Sequence, residues 1–324
     1  SRHSILHRYR IFDRNRPHLW PTMQNLMSIE ALTGDQISRI VDLGIKMKAT
    51  RGHHDNLPLA GQVWALIFSK SSTRTRLSFE VGIRELGGQA IFLSSSDLQL
   101  GRGEPMKDTA RVFGRMVHGA VIRTFAQADV VEFAEYAKIP TINALTDDEH
   151  PCQILADLQT IREKLGDYKG KTICFIGDGA CNMPISWIWA AKHCGFNLNI
   201  AAPKAFWPSD RLLERVSYAG VKVFEDLHEA ARGADVLYTD VWVSMGKEAE
   251  AGDRLNQLKA YTIDQELVRD VAPDALIMHC LPAYRGNEIT DQVLEQHATT
   301  IFDQAENRLH AQKAVMALLA TKQL

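Results

Sequence analysis

Short apolar runs alternate with longer amphipathic segments along most of this 324-residue chain. The runs are rich in β-branched and aromatic residues and are bounded by turn residues, which is typical of buried strands. The segments between them carry apolar residues at helical spacing. An alternation of strands and helices predicts parallel sheets with helices on both faces.

The apolar runs form two groups, separated by a polar, glycine-bearing segment at residues 166–170 that we interpret as an interdomain joint. The runs of the first group are Val63–Phe68, Gln89–Leu93, Gly119–Arg123 and Pro140–Asn143. Those of the second group are Lys171–Ile176, Asn197–Ala201, Val221–Phe224, Ala234–Thr239 and Leu276–His279. We therefore predict an α/β protein with two doubly wound parallel-sheet domains and an interdomain cleft.

Helices are predicted where apolar residues recur at helical spacing. The segment Ser28–Lys48 has this spacing, with Thr33 as its cap. The other helical segments are Thr75–Leu86, Met106–His118, Val130–Tyr136, Cys152–Leu165, Ser209–Ala219, Leu227–Ala231 and Asn307–Leu319.

Composition excludes several classes of protein. The net charge of −2 gives no basic field for nucleic acid, and no apolar run approaches the roughly 20 residues that span a bilayer. The cysteines are odd in number and lack CxxC spacing, which argues against a disulfide framework or zinc site and for a reducing compartment. They are Cys152, Cys174, Cys181, Cys194 and Cys280.

The first 22 residues form an extension that differs from the rest. Five arginines face a single acid, Asp13, and a patterned segment begins at Met23. No long apolar core is present, which argues against a secretory signal. A targeting peptide, a natural extension and translated vector sequence all stay open. The expected location is cytoplasmic, or the mitochondrial matrix if residues 1–22 are a targeting remnant.

The turn after the first predicted strand is dense in hydroxyls and guanidiniums. It contains Ser71, Ser72, Thr73, Arg74 and Thr75, followed by Arg76. Unpaired backbone N–H groups and the dipole at a helix start attract anions, and these side chains add further donors. A helix cap needs only one hydroxyl, so the density favours a phosphate site over a simple cap.

Polar residues also follow the later strands. Arg123 closes one strand, and His150 precedes the long helix that starts near Cys152. Asp240 and Cys280 each follow a strand of the second group. Each of these residues has an ordinary structural alternative. Arg123 could form a structural ion pair and His150 could be a turn residue. Asp240 could cap the following turn, and Cys280 could be a small buried side chain. Together they fit a cleft for a small dianion carrying a carbonyl, with a carboxylate that can hold an ammonium group.

The turn at Gly177–Gly179 suggests a dinucleotide fingerprint, but the third glycine of that motif would fall at Asn182. A dehydrogenase is therefore only a weak alternative, and Asn182 is left as a polar group at the mouth of a strand.

Taken together, these motifs resemble those of the carbamoyltransferases, specifically the branch that uses ornithine. The resemblance rests on four motifs in order, namely Ser72–Arg76, His150–Gln153, Asp240 with Ser244–Gly246, and His279–Pro282. Arg308 resembles a late arginine that also reaches carbamoyl phosphate. The resemblance extends from Met23 to the C-terminus, and the Ser-Met-Gly loop separates this branch from aspartate carbamoyltransferase.

The resemblance implies a carbamoyl phosphate domain at 23–165, an ornithine domain at 166–304, and a C-terminal helix within 305–324 packing back on the first domain. It also implies a homotrimer, in which Gln99 from the loop Ser94–Glu104 reaches the phosphate of the neighbouring subunit. Transfer of the carbamoyl group to ornithine, giving citrulline, is the expected reaction in arginine biosynthesis or breakdown. No metal or organic cofactor is expected, and neither nucleic acid nor membrane is an expected partner.

The resemblance also assigns roles to residues. The expected catalytic residues are Arg123, His150, Asp240 and Cys280, with Cys280 able to share a proton as a thiolate. The expected carbamoyl phosphate ligands are Ser72, Thr73, Arg74, Thr75, Gln99, Arg123, His150, Gln153, Cys280, Leu281 and Arg308. The expected ornithine ligands are Asn182, Asp240, Ser244 and Met245.

One position departs from the family pattern. Relatives often have two asparagines after the Gly-Asp turn, whereas this chain has Cys181 and Asn182. Alternatives to the ornithine reaction are a carbamoyltransferase for another amine, such as putrescine, and a non-catalytic relative. The Ser-Met-Gly loop argues against putrescine, which has no α-carboxylate, and the intact set of site residues argues against lost catalysis.

Overall fold

A computed structural model describes residues 24–53, 56–98 and 103–324. The predicted extension at residues 1–22 and the predicted trans residue Gln99 lie outside this part of the chain. Among the described residues we find no helix whose length and hydropathy match a membrane-spanning segment.

The first half of the chain forms a five-stranded parallel sheet in the order β1-β5-β4-β2-β3. Its strands are β1 (Asn25–Leu26), β2 (Val63–Phe68), β3 (Gln89–Ser94), β4 (Gly119–Arg123) and β5 (Thr141–Leu145). Its helices are α1 (Gly34–Ala49), α2 (Thr73–Glu85), α3 (Met106–Met116), α4 (Gln127–Ala137) and α5 (Pro151–Leu165).

The second half forms another five-stranded parallel sheet, in the order β10-β9-β6-β7-β8. Its strands are β6 (Thr172–Ile176), β7 (Asn197–Ala201), β8 (Val221–Phe224), β9 (Val236–Thr239) and β10 (Leu276–His279). Its helices are α6 (Asn182–Cys194), α7 (Asp210–Val216), α8 (Leu227–Ala231), α9 (Ala251–Leu258), α10 (Gln265–Val271), α11 (Asp291–Gln296) and α12 (Ala298–Ala320).

The predicted fold class is confirmed, and the predicted strands recur within two residues of their expected ends. Thr33 caps α1 as expected, in a reciprocal capping box with Gln36. The final helix begins earlier than predicted, since α12 starts at Ala298 rather than at Asn307. Its first turns are polar and partly exposed, so they lack the apolar pattern of the later turns.

Two helices connect the sheets through the core. The largest apolar cluster runs from the first sheet through α5 and α12 to the second sheet. Every residue of α12 from Asn307 to Leu319 is buried. This helix packs against α1, α2 and α5 and also reaches β10.

The strand orders locate the cleft. In each sheet the chain changes direction beside a central strand, between β2 and β4 in the first and between β6 and β9 in the second. Ligands of open α/β sheets bind outside the carboxyl ends of strands at such switch points. Both switch points therefore predict a site at the same strand ends that carry the polar motifs.

Candidate active site

A cavity of about 770 Å³ lies at these strand ends, between the two halves of the chain. Its walls come from the segments after β2, β4, β5, β6, β9 and β10 and from α12. Almost every site residue expected from the sequence lines it, namely Ser72, Arg74, Thr75, Arg123, His150, Gln153, Asn182, Asp240, Ser244, Met245, Cys280, Leu281 and Arg308.

The turn after β2 both caps a helix and faces the cavity. Ser72 is the N-cap of α2, and its Oγ accepts a hydrogen bond from the Thr75 N–H at 3.2 Å. Arg74 and Thr75 line the cavity. Thr73 is exposed and does not line it, so the described geometry gives no support to the expected role of Thr73.

Guanidinium groups converge on Thr75. Its Oγ1 accepts hydrogen bonds from Arg308 Nη2 at 3.2 Å and from Arg123 Nη1 at 3.5 Å. Burial, followed by the charges of Arg308 and Arg74, lowers the pKa of Arg123 to about 10. Arg123 Nε is buried and has no hydrogen-bond partner among the described residues. This concentration of positive charge favours an anionic ligand.

His150 lies at the edge of the same cluster. Its backbone N–H donates to Ser186 Oγ of α6 at 2.9 Å, which fixes the start of α5 against the second half of the chain. Burial, with the charges of Arg308 and Arg123, lowers the pKa of its imidazole well below the ordinary value. His150 is therefore neutral at neutral pH and can offer a ring N–H but not a positive charge.

Asp240 and Cys280 face the cavity from the second sheet. Cys280 Sγ donates to Asp240 Oδ1 at 3.0 Å, and the Val241 N–H donates to the same oxygen at 2.7 Å. Burial raises the pKa of Asp240. Burial and the neighbouring Asp240 raise the pKa of the Cys280 thiol well above its ordinary value. Both effects oppose the expected thiolate, and in this geometry Cys280 is a hydrogen-bond donor; its proposed role stays a prediction.

A buried histidine–glutamate pair fixes the turn that carries Cys280. His279 Nε2 lies 2.8 Å from Glu288 Oε1, and His279 Nδ1 accepts a hydrogen bond from the Leu281 N–H at 2.8 Å. Because Nδ1 is an acceptor, Nε2 carries the proton and donates to Glu288. Leu281 itself adopts the left-handed conformation, with φ of 59°. The two hydrogen bonds hold this conformation in place.

The segments expected to bind the amino acid are joined by a buried arginine. Arg254 of α9 forms an ion pair with Asp178 and donates from Nε to the Trp242 carbonyl at 2.8 Å. Asp178 follows β6 and Trp242 follows β9, so one guanidinium links both segments. Asn182 donates to the Thr146 carbonyl at 2.8 Å, across to the first half of the chain.

Several cavity residues have no counterpart among the expected site residues. Lys70 lines the cavity, pairs with Asp147 at 2.5 Å and lies 4.4 Å from the centre of the Phe125 ring. Its position directly before the hydroxyl-rich turn could have indicated it. Cys181, left unassigned by the sequence, also lines the cavity, and its Sγ donates to the Asp178 carbonyl at 3.3 Å. In the described ranges, no three His, Cys, Asp or Glu side chains are placed to share a metal ion.

Family models match most of the chain. Residues 24–163 match the carbamoyl-P binding domain of aspartate/ornithine carbamoyltransferase, and residues 169–319 match its Asp/Orn binding domain.

Individual relatives agree with these matches. A protein of Akkermansia muciniphila named ornithine carbamoyltransferase is 57% identical over 300 residues, covering 92% of this chain and 98% of the relative. A protein of Pseudomonas aeruginosa named "Ornithine carbamoyltransferase, anabolic" is 51% identical over 264 residues. The match covers 81% of this chain and 85% of the relative. The crystal structure of anabolic ornithine carbamoyltransferase from Campylobacter jejuni is 39% identical, with a TM-score of 0.86, and covers 92% of this chain and 99% of that chain.

Proposed function

The chain belongs to the aspartate/ornithine carbamoyltransferase family, and from that membership we propose how its cleft works. It is an enzyme that transfers the carbamoyl group of carbamoyl phosphate to the side-chain amine of L-ornithine, giving L-citrulline and phosphate. One observation above all supports our assignment of roles: guanidiniums with no salt bridge among the described residues line one wall of the cavity, and a partly buried carboxylate lines the other.

We propose that the two halves of the chain divide the substrates. Residues 23–165, with the helix at 305–324, hold carbamoyl phosphate, and residues 166–304 hold ornithine. The matched ranges of the two family models support this division. So does Arg308, which comes from α12 yet hydrogen-bonds Thr75 and Gln153 of the first half.

The phosphate lies against Arg74, Arg308 and the hydroxyls of Ser72 and Thr75. Burial is the main cause of the lowered pKa of Arg123, and the repulsion from Arg308 and Arg74 that adds to it is relieved when a dianion binds there. This gain in favourable charge interaction is available only when the ligand is bound, so it contributes to affinity. The phosphate also leaves the reaction as an anion, so the same charges stabilise the departing group.

The carbamoyl oxygen lies near Arg123, Thr75 and His150. Negative charge develops on this oxygen when the amine attacks, and donors aimed at it stabilise the tetrahedral intermediate. Arg123 Nε and His150 Nδ1 are both buried without a partner among the described residues. Gln153 and the backbone of Cys280 and Leu281 hold the carbamoyl NH₂.

Ornithine enters from the second half of the chain, with its α-amino and α-carboxylate groups near Asn182, Ser244 and Met245. Its side-chain ammonium approaches Asp240 and must lose one proton before it can attack. Because burial raises the pKa of Asp240, this carboxylate is a stronger base than an ordinary Asp. Cys280 donates its S–H to Asp240 and keeps the carboxylate oriented.

The carbamoyl group is transferred in two steps, addition of the amine and then loss of phosphate. The neutral amine forms a C–N bond to the carbamoyl carbon, and the electron pair of the C=O bond moves onto its oxygen. When that pair returns, the C–O bond to phosphate breaks and the phosphate takes the bonding electrons. The second amine proton passes to the departing phosphate.

We also propose a homotrimer in which Gln99 of one subunit reaches the phosphate bound by its neighbour. The family resemblance supports this, as does the exposure of Leu77 on α2 and Ile91 on β3, which offer apolar surface for a contact. Mixing two inactive variants, Gln99→Ala and Arg308→Ala, should restore part of the activity, because some mixed sites then contain both intact residues. No recovery in a mixed trimer of verified composition would contradict the shared site.

The proposed setting is arginine metabolism in the cytoplasm. All five cysteines are free, which is consistent with a reducing compartment.

The function is tested by measuring carbamoyl transfer with ornithine, putrescine, aspartate and N-acetylornithine as parallel acceptors. Citrulline formation with ornithine alone is expected. Preference for another acceptor would retain the phosphate half of the proposal and overturn the ornithine half. No product with any acceptor would favour a non-catalytic relative.

A further inference from the structure

The amide of Gln153 lies between a cation and an anion. Its Oε1 accepts a hydrogen bond from Arg308 Nη1 at 2.7 Å, and its Nε2 donates to Asp157 Oδ1 at 2.8 Å. A reversed amide would place its N–H groups against the guanidinium and its oxygen against the carboxylate. Both contacts would then be repulsive, so the two charges determine which way the amide faces.

Asp157 is itself held by other donors. It is fully buried one helical turn after Gln153, and its Oδ1 also accepts from Gln304 Nε2 at 2.8 Å. Its Oδ2 accepts from the Tyr238 hydroxyl at 2.7 Å. Three donors point at this side chain, so both of its oxygens act as hydrogen-bond acceptors.

Burying a carboxyl group is unfavourable, and burial raises the pKa of Asp157 to about 7 against the opposing hydrogen bonds. Asp157 has no salt-bridge partner within the described ranges, and moving an unpaired charge from water to a protein interior is energetically unfavourable. Asp157 does not line the cavity, whereas Gln153 does. The effect of Asp157 on a ligand must therefore pass through Gln153.

We propose that Asp157 is a positioning residue that makes the site prefer a carbamoyl group to an acetyl group. This inference rests on the proposed binding of carbamoyl phosphate beside Gln153. A carbamoyl group offers N–H donors where an acetyl group of similar shape offers a methyl group. The amide oxygen of Gln153 accepts from the N–H groups and gains nothing from the methyl group. Asp157 keeps that oxygen available by anchoring the opposite end of the amide.

The test compares dissociation constants for carbamoyl phosphate and acetyl phosphate, measured by calorimetry without ornithine. The wild-type protein is expected to bind carbamoyl phosphate at least about tenfold more tightly, the effect of one well-placed hydrogen bond. In Asp157→Leu, which removes the acceptor, this preference should fall about tenfold. Asp157→Asn should keep it within about threefold, since its Oδ1 still accepts from Gln153 and its Nδ2 can donate to the Tyr238 oxygen.

Tyr238→Phe is the matched control, because it removes a hydrogen bond to Asp157 without touching Gln153. The preference is expected to stay within about threefold of wild type. If thermal melting shows that Asp157→Leu does not fold, Asp157→Ser removes the same acceptor with a shorter side chain.

An unchanged preference in a folded Leu or Ser variant would overturn the inference, as would an equal loss in Tyr238→Phe. A wild-type protein that binds both phosphates equally would overturn it as well. A wild-type protein that discriminates between the phosphates but forms no citrulline would instead contradict the proposed function.

Discussion

The two walls of the cleft differ in how their charges are paired. The phosphate wall is formed by residues such as Arg74, Thr75, Arg123 and Arg308, and the amino acid wall by residues such as Asn182, Asp240 and Ser244. On the phosphate wall, Arg123 and Arg308 contact the hydroxyl of Thr75, and Arg308 contacts the amide of Gln153. Neither guanidinium forms a salt bridge with a carboxylate in the described part of the chain. Behind the amino acid wall, Asp178 forms an ion pair with the buried Arg254, and neither residue lines the cavity.

This difference separates charges used for binding from charges used for structure. Cations that repel one another make the empty site less stable, and an anionic ligand reverses that penalty. The Arg254–Asp178 pair gains its stabilisation in the folded chain itself. Removing an arginine should therefore have opposite consequences on the two walls.

The largest expected effect is behind the amino acid wall. Arg254→Met leaves Asp178 buried without its partner, which should lower the free energy of unfolding by about 3–5 kcal/mol. Urea unfolding measures this loss. Arg285→Met is the control, because it removes two exposed ion pairs, and its effect should be much smaller. Equal losses in the two variants would show that the buried pair has no special structural role.

On the phosphate wall, Arg123→Met should impair catalysis without impairing folding. Loss of a donor to the developing oxyanion is expected to lower kcat about 10²–10³-fold. The free energy of unfolding should not fall, since the substitution removes a charge that burial, and then repulsion from Arg308 and Arg74, make unfavourable. Arg111→Met, on the exposed face of α3, is the control for both measurements. A large loss of stability with near-normal kcat would show that Arg123 serves structure rather than catalysis.

Asp240→Asn tests the carboxylate that the amino acid wall presents to its substrate. The substitution keeps the shape of the side chain and removes a charge-assisted contact to the ammonium group, so kcat/KM for ornithine should fall about 10- to 100-fold. The dissociation constant for carbamoyl phosphate should stay unchanged. Asp253→Asn, on the exposed part of α9, is the control. Weaker binding of carbamoyl phosphate would mean that the two walls are not separate.

The pH dependence of stability is expected to depend on Glu149, at the junction of the two halves. Burial raises its pKa to about 8 from an ordinary value of 4.5, and the Ile29 N–H bound to Oε1 opposes the shift. Between these pH values the folded chain holds a proton that the unfolded chain has lost, so stability falls as pH rises.

The side chain of Glu149→Gln cannot ionise. The free energy of unfolding of this variant, relative to that of the wild-type protein, should therefore rise from pH 5 to pH 8 by about 1 kcal/mol or more. Denaturant titrations at each pH measure it. Glu214→Gln, on the surface of α7, controls for the change in net charge. Parallel pH curves for Glu149→Gln and wild type would contradict the prediction.

Much of the fold could be predicted from the sequence because its central strands are compact apolar runs between turn residues. Among the strands the exception is β1, whose two residues, Asn25 and Leu26, are too few to show a period. Many residues of the candidate site could also be predicted, since Arg74, Arg123 and Asp240 lie at or just after strand ends, which meet at one edge of a parallel sheet. Thr73, predicted together with its neighbours, is exposed and does not line the cavity, so its role stays a prediction.

The supporting residues could not be predicted from any local pattern. Asp157 lies inside a helix, and its partners Tyr238 and Gln304 are 81 and 147 residues away. Arg254 is 76 residues from Asp178. Asp157 and Arg254 are both charged residues within helices, where a charged side chain usually lies on the exposed face. Only the packing of the two halves shows that these charges are buried.

The position of α12 has a consequence for how the protein is made. This helix is synthesised after all the other described helices, yet it packs against α1, α2 and α5 and supplies Arg308 to the phosphate site. About 250 residues separate α1 from α12, which takes roughly 10–50 s at ordinary rates of translation. During that interval the nascent first half exposes the apolar surface that α12 will cover. A chain released early would carry the hydroxyl-rich turn of residues 72–75 without the arginine that completes it.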